Sequence, residues 1–138
     1  PSPVELLAAS ASSDGGFGYH RGQPAHLEPT CLAVLALAAE PEKYAAQINA
    51  ALAAIQQHAN PDGSYRLTRG RQQAVWPTAL VLFTRGLLNH PAAELQPVAN
   101  KLLAVEGKVV RMDTSDAGDI DAGLLGWPAA RGDWVRPG

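Results

Sequence analysis

The chain has 138 residues, a formal net charge of −2 and 46% hydrophobic residues. This length fits one domain with its own core, and the mixed charges give no electrostatic case for binding to nucleic acid or to an anionic membrane. Its one cysteine, Cys31, excludes an internal disulfide and lies in an apolar run that predicts a buried, unreactive thiol. No run reaches the roughly 18 apolar residues of a membrane span, and no signal pattern opens the chain, so a cytoplasmic protein is expected.

In chain order, the first predicted element is a short helical segment over residues 4–11. It is broken at Asp14-Gly15-Gly16, because glycine admits positive φ and Asp competes for backbone hydrogen bonds. An almost wholly apolar helix follows over residues 30–39. Pro29 stands at its start, where a backbone N–H would have no partner within the helix, so the N–H that proline lacks is not needed. The next helix, residues 42–59, is predicted to be amphipathic, since its apolar residues share one stripe. They are Tyr44, Ile48, Leu52 and Ile55.

The second half of the chain begins in the same way. Pro77 precedes a predicted apolar helix over residues 78–88, and an amphipathic helix is predicted over 92–106. Pro97 is expected to delay the start of this second helix or to bend it. After it the helical pattern fails, and residues 108–121 read as an acidic loop.

Two blocks of sequence recur at a constant offset of 48 residues. Residues 14–19 return as 62–67, and residues 29–35 return as 77–83. Self-similarity at this period predicts stacked helical units, none of which can bury its apolar face alone. The predicted fold class is therefore all-α, a single domain of helical hairpins over residues 1–138. Its repeats are placed at about 14–61 and 62–107, with a partial third at 122–138.

These blocks resemble the α/α-toroid repeats of squalene–hopene cyclases, protein prenyltransferase β subunits and their bacterial relatives. The residues that match are Gly15-Gly16-Phe17-Gly18-Tyr19, Asp62-Gly63-Ser64-Tyr65 with Trp76-Pro77-Thr78, and Gly126-Trp127 with Trp134-Val135-Arg136-Pro137. The resemblance implies that Gln57 ties neighbouring helices together. It also implies an open arc of about two and a half repeats, where family toroids close with about five to seven hairpins. The open edges are then expected to bind a second copy or another protein.

Six aromatic residues, placed in loops that lead to the predicted inner helices, are the candidate ligand-binding residues. In the family these loops lie at the mouth of the toroid, where aromatic rings could bind an apolar, isoprenoid-like molecule. The alternative is that the rings staple loops onto neighbouring helices, which their recurrence at repeat positions favours. The six are Phe17, Tyr19, Tyr65, Trp76, Trp127 and Trp134.

The weak catalytic candidates are Asp119 and Asp121. Asp119-Ile120-Asp121 resembles the Asp-x-Asp-Asp acid motif of class II terpene cyclases, but Ala122 replaces its last aspartate. The acidic loop 113–121 is also a candidate cation site, although a calcium loop needs oxygen ligands at positions that Ala117 and Leu124 fill. A solvated acidic loop is the simpler interpretation.

No metal or other cofactor is expected. The Asp, Cys and His that hold zinc in prenyltransferases are not matched, since Pro29 stands two residues before Cys31. The expected function is a non-catalytic helical repeat module for assembly or protein interaction. Two alternatives stay open: a fragment of a class II terpene cyclase or prenyltransferase-type enzyme, and a binder of an apolar, isoprenoid-like ligand.

Overall fold

The computed structural model describes residues 1–67 and 75–106, together with the backbone of residues 108–109 and 134–135. Over these ranges the chain is helical, which confirms the predicted all-α class at this level. Each predicted helix is present, with ends a few residues from those expected. The five are α1 (Pro3–Ala8), α2 (Leu27–Leu37), α3 (Ala45–Gln56), α4 (Trp76–Leu87) and α5 (Ala92–Leu103).

The first helix, α1, is only six residues long and is held at its N-terminus by a capping box. The Glu5 N–H donates to Ser2 Oγ at 3.2 Å, and the Ser2 N–H donates to Glu5 Oε2 at 2.8 Å. Lys43 Nζ lies 3.2 Å from Glu5 Oε1, which links α1 to the turn before α3. Reciprocal capping satisfies donors that a helix this short would otherwise leave open. The helix packs against α2.

The most buried helix is α2, which packs against α1, α3 and α4. Val34 and Leu37 are fully buried, and Cys31 is buried as predicted. One side remains open, where Leu32 is 52% exposed. The apolar composition of the predicted 30–39 helix therefore reflects contacts with three neighbours rather than burial all round.

Two outer helices complete the pairs, α3 against α2 and α5 against α4. In α3 the buried residues follow the predicted stripe, with Ile48 and Ile55 in the core. In α5, Pro97 lies inside a helix that begins at Ala92, so of the two predicted effects of this proline the delayed start is wrong. An exposed proline here removes one backbone hydrogen bond without ending the helix.

The loops that precede α2 and α4 have matching hydrogen bonds 48 residues apart. The Gly16 N–H donates to Asp14 Oδ1 at 2.9 Å, and the Ser64 N–H donates to Asp62 Oδ1 at 3.0 Å. The glycines at the equivalent turns have φ of 85° and 86°. The backbones that begin at Asp14 and Asp62 are thus alike, and α2 packs directly on α4.

A short strand pair lies where only loops were predicted. Strand β1 (Lys108–Val109) pairs in parallel with β2 (Trp134–Val135), with Lys108 opposite Trp134. Two residues are too few to produce a period-two pattern in the sequence, although valine and tryptophan favour strands. Otherwise the predicted acidic loop 113–121 and the partial repeat 122–138 lie outside the described residues.

None of the helices in the described part of the chain has the length and apolar character needed to cross a membrane.

Candidate functional site

Each loop is fastened to its inner helix by a buried threonine. Thr30 Oγ1 accepts a hydrogen bond of 2.9 Å from the Phe17 N–H and donates to the His26 carbonyl at 2.6 Å. Thr78 Oγ1 accepts the equivalent bond from the Tyr65 N–H at 3.0 Å. Because buried backbone donors need a partner, these hydroxyls fix the aromatic residue at the start of each unit.

Two of the six aromatic candidates are core residues. Phe17 is 2% exposed and Tyr65 is 4% exposed. The Arg85 guanidinium lies 5.6 Å from the centre of the Tyr65 ring, and burial raises the pKa of the Tyr65 hydroxyl. These two buried rings pack the loops against the neighbouring helices, and they leave little surface for a ligand.

The glutamine that ties the units is Gln56 and not Gln57. Gln56 Oε1 accepts hydrogen bonds from Arg85 Nη2 at 2.7 Å and from the Tyr65 hydroxyl at 3.3 Å. Gln57 is the C-cap of α3, and its backbone carbonyl accepts from Arg66. The resemblance implied this role for Gln57, one residue later. Neighbouring residues of a helix point about 100° apart, and it is the Gln56 side chain that faces Tyr65 and Arg85.

Trp76 was predicted to lie in a loop, and this prediction was wrong. It is the first residue of α4, beside Pro77, and is 38% exposed. Phe83 and Leu87 are each 58% exposed and lie seven and eleven residues further along the same helix. With half-buried Leu80, these side chains form one apolar stripe, here called the α4 face.

The opposite side of α4 is covered by α2. The Cys31 thiol, fully buried, lies in hydrogen-bonding contact with the hydroxyl of Thr84, which is also fully buried. Burial raises the pKa of Cys31 to about 11, so little of the reactive thiolate forms at neutral pH. This contact identifies the surfaces by which one inner helix packs on the next.

An open groove of about 350 Å³ lies between α1 and α2, and it is here called the N-terminal groove. At its rim Tyr19, 56% exposed, donates a 2.7 Å hydrogen bond from its hydroxyl to Glu28 Oε2. This hydrogen bond raises the pKa of Tyr19, and the ring lies 5.3 Å from that of His26. The groove is lined by Leu7, Ser10, Phe17, Gly18, Tyr19, Glu28, Pro29, Leu32 and Ala33.

Four predicted residues are not placed in a site. Asp119, Asp121 and Trp127 lie outside the described residues, and of Trp134 only the backbone in β2 is described. Within residues 1–67 and 75–106, no three His, Cys, Asp or Glu side chains come together as metal ligands would.

Compared with models of known protein families, the chain matches none. A search of curated proteins finds no match to the sequence either. The resemblance to α/α-toroid repeats therefore rests on the residues quoted above.

Proposed function

We propose that this chain is a non-catalytic helical repeat module of the α/α-toroid kind, which assembles with another protein through the α4 face. The observation that supports the proposal most directly is the exposure of Trp76, Phe83 and Leu87 along one side of a single helix. Scattered exposed apolar residues are normal, whereas a contiguous stripe that includes two aromatic rings is typical of an interaction surface.

The repeat also leaves open the side of α4 that adjoins this face, where Ala79 lies one turn from Phe83. On α2, Cys31 and Val34 are fully buried, while Ala79 and Leu82, their equivalents 48 residues later on α4, are only half-buried. In a stacked array each unit needs a neighbour to cover the side that it presents forward. The second unit has no such neighbour among the described residues.

The energy available at the α4 face is comparable with the cost of association. Complete burial of a large apolar side chain contributes about 1.5–3 kcal/mol, and Trp76, Phe83 and Leu87 are already about half covered, so together they supply about 2–5 kcal/mol. Association costs at least about 4 kcal/mol in lost translational and rotational freedom. Trp76 and Phe83 would therefore act as the anchors, with the surrounding half-buried residues completing the fit.

The α4 face can be tested with a matched pair of charge substitutions. Phe83→Glu places a carboxylate on the face, whereas Ala53→Glu places one on an exposed position of α3. We expect wild type to bind the apolar dye anilinonaphthalene sulfonate or to self-associate in light scattering. Phe83→Glu should reduce both signals at least about fivefold, and Ala53→Glu should leave them unchanged. Wild type that neither binds the dye nor associates would refute the proposal.

A second candidate function, the binding of an apolar small molecule, is favoured by the N-terminal groove. Leu7, Phe17 and Leu32 supply an apolar lining, and Tyr19 with Glu28 supplies polar groups at one rim, as small-molecule sites require. We expect the isoprenoid alcohol farnesol to shift the NMR signals of these residues. Leu32→Asn should weaken binding, whereas Leu103→Asn, at another exposed leucine, on α5, should not. Equal shifts across the surface would exclude this candidate.

The enzyme alternative has no comparable support. Its weak catalytic candidates, Asp119 and Asp121, lie outside the described residues.

A further inference from the structure

We infer that the partner is a second copy of this chain, joined head to tail, with α4 of one copy packed into the N-terminal groove beside α2 of the next. The contact would repeat between copies the α2–α4 packing that exists within one chain. This inference rests on the proposed function of the α4 face and specifies its occupant.

The internal contact supplies the template. Here the forward side of an inner helix is the one that faces the following unit, and the back side is the one that faces the preceding unit. Within the chain, Cys31 on the forward side of α2 contacts Thr84 on the back side of α4. Moving both positions by the repeat offset places Ala79 on the forward side of α4 and Ala36 on the back side of α2. An Ala79–Ala36 pair between copies buries no polar group and allows the helices to approach closely.

Both halves of this contact are open. Ala79 is half-buried, while Ala36 and Leu32 are exposed on the side of α2 that would receive it. The groove beside them is lined by Pro29, which is half-buried. Its equivalent on α4, Pro77, is buried. The groove therefore lies where the inner helix of a preceding unit would pack.

The placement of α1 is consistent with this assignment. Its residues, 3–8, correspond by the 48-residue offset to residues 51–56, the second half of the outer helix α3. By this offset α1 corresponds to an outer helix, although it also packs directly on α2, and no helix in the described residues corresponds to the inner helix of a preceding unit. A symmetric α4-to-α4 contact would leave this groove empty, whereas a head-to-tail contact fills the groove and covers the side of α4 that carries Ala79 and adjoins Phe83.

A head-to-tail contact is heterologous, so an open assembly keeps one free surface of each kind, at its two ends, until it closes. It produces a ring if the rotation between copies closes, and a filament if it does not.

Disulfide cross-linking distinguishes these arrangements. Two variants, Ala36→Cys and Ala79→Cys, are purified separately, mixed and oxidised at pH 8; wild type is the control, because its Cys31 is buried. We expect the mixture to give a cross-linked dimer at least about ten times more efficiently than Ala53→Cys mixed with Ala79→Cys, and either variant alone to give little. Adding Phe83→Glu to the Ala79→Cys chain should abolish the product.

Three outcomes would overturn the inference. Efficient cross-linking of Ala79→Cys alone would indicate the symmetric α4-to-α4 contact. Equal yields from every pairing would indicate random collision, and no cross-linking in any mixture would exclude a second copy as the occupant. If the last result came with dye binding that Phe83→Glu removes, the proposed function of the α4 face would stand and its partner would be a different protein.

Discussion

The hydroxyl of Thr30 accepts a hydrogen bond from the backbone N–H of Phe17, thirteen residues earlier, and the same bond joins Thr78 to Tyr65. Both threonines are almost completely buried, at 2% and 4% exposed. A single side chain thus connects the start of each inner helix to the loop before it. This bond, repeated at the same offset as the sequence, links the motif to the fold.

Replacing either threonine by valine should destabilise the protein by about 1–3 kcal/mol, because a buried N–H loses its acceptor while the side-chain shape is kept. Thr84→Val is the matched control. Thr84 is equally buried, but its hydroxyl donates at 2.8 Å to the Leu80 carbonyl four residues earlier in its own helix and contacts the Cys31 thiol, which is a weak donor compared with a backbone N–H. That change should cost less than about 1 kcal/mol. Urea unfolding measures all three, and equal losses would show that the loop bonds have no special role.

The turn glycines offer a second matched pair. Gly63 has φ of 86° and nothing within 4 Å of an added Cβ, so Gly63→Ala should cost only the strain of the left-handed conformation, about 1–2 kcal/mol. At Gly15 an added Cβ would lie 2.7 Å from Ala50 Cβ and 2.8 Å from the Ala50 carbonyl carbon. Gly15→Ala should therefore cost about 1–3 kcal/mol more.

The Gly15 contact also predicts a failed rescue. Two of the three closest atoms on Ala50 belong to its backbone, so Ala50→Gly should restore little of the stability that Gly15→Ala loses. Thermal unfolding of the double variant checks this. Full restoration would mean that only the Ala50 methyl group limits the approach.

Cys31 should make stability depend on alkaline pH. Its pKa is 9.0 ordinarily and about 11 in the folded chain, so the unfolded state loses its proton first. The stability that this thiol contributes is present below about pH 9 and is lost as the pH rises towards 11. Between pH 8 and pH 10 wild type should lose about 1 kcal/mol more than Cys31→Ala.

The comparison with Cys31→Ala removes the contributions of other groups. Tyr65, whose pKa is also raised by burial, gives a loss of the same sign in both proteins. Identical pH dependence of the two proteins in urea unfolding would mean that the thiol is not desolvated in the fold.

Much of the helical framework could be predicted, because it depends on short-range signals. Pro77 at the start of α4 and the apolar stripe of α3 are local features, and both helices lie where those features place them. The exposed position of Trp76 could not be predicted. A tryptophan directly before a proline is compatible with a loop residue and with the first residue of a helix, and α4 begins one residue before Pro77.

The candidate surfaces were harder to predict than the helices. The stripe of Trp76, Phe83 and Leu87 is visible in the sequence as an apolar pattern, but its exposure in the fold is not. Which stripe is open depends on which helices are neighbours, and this is a property of contacts between distant segments. Likewise, nothing in the spacing of Tyr19 and Glu28 predicts that their side chains meet.

Leu37 and Arg85 occupy the same position of the repeat, 48 residues apart. The pair shows which features of this protein depend on the sequence alone and which depend on the tertiary structure. The sequence by itself determined the repeat, the helical class and the glycine turns, because propensity, proline and periodicity act over a few residues. Only the tertiary structure decided how the second unit accepts an arginine where the first buries a leucine. Its guanidinium reaches Gln56 on α3 and lies over the Tyr65 ring, since a charge leaves water at tolerable cost only where distant residues supply its partners.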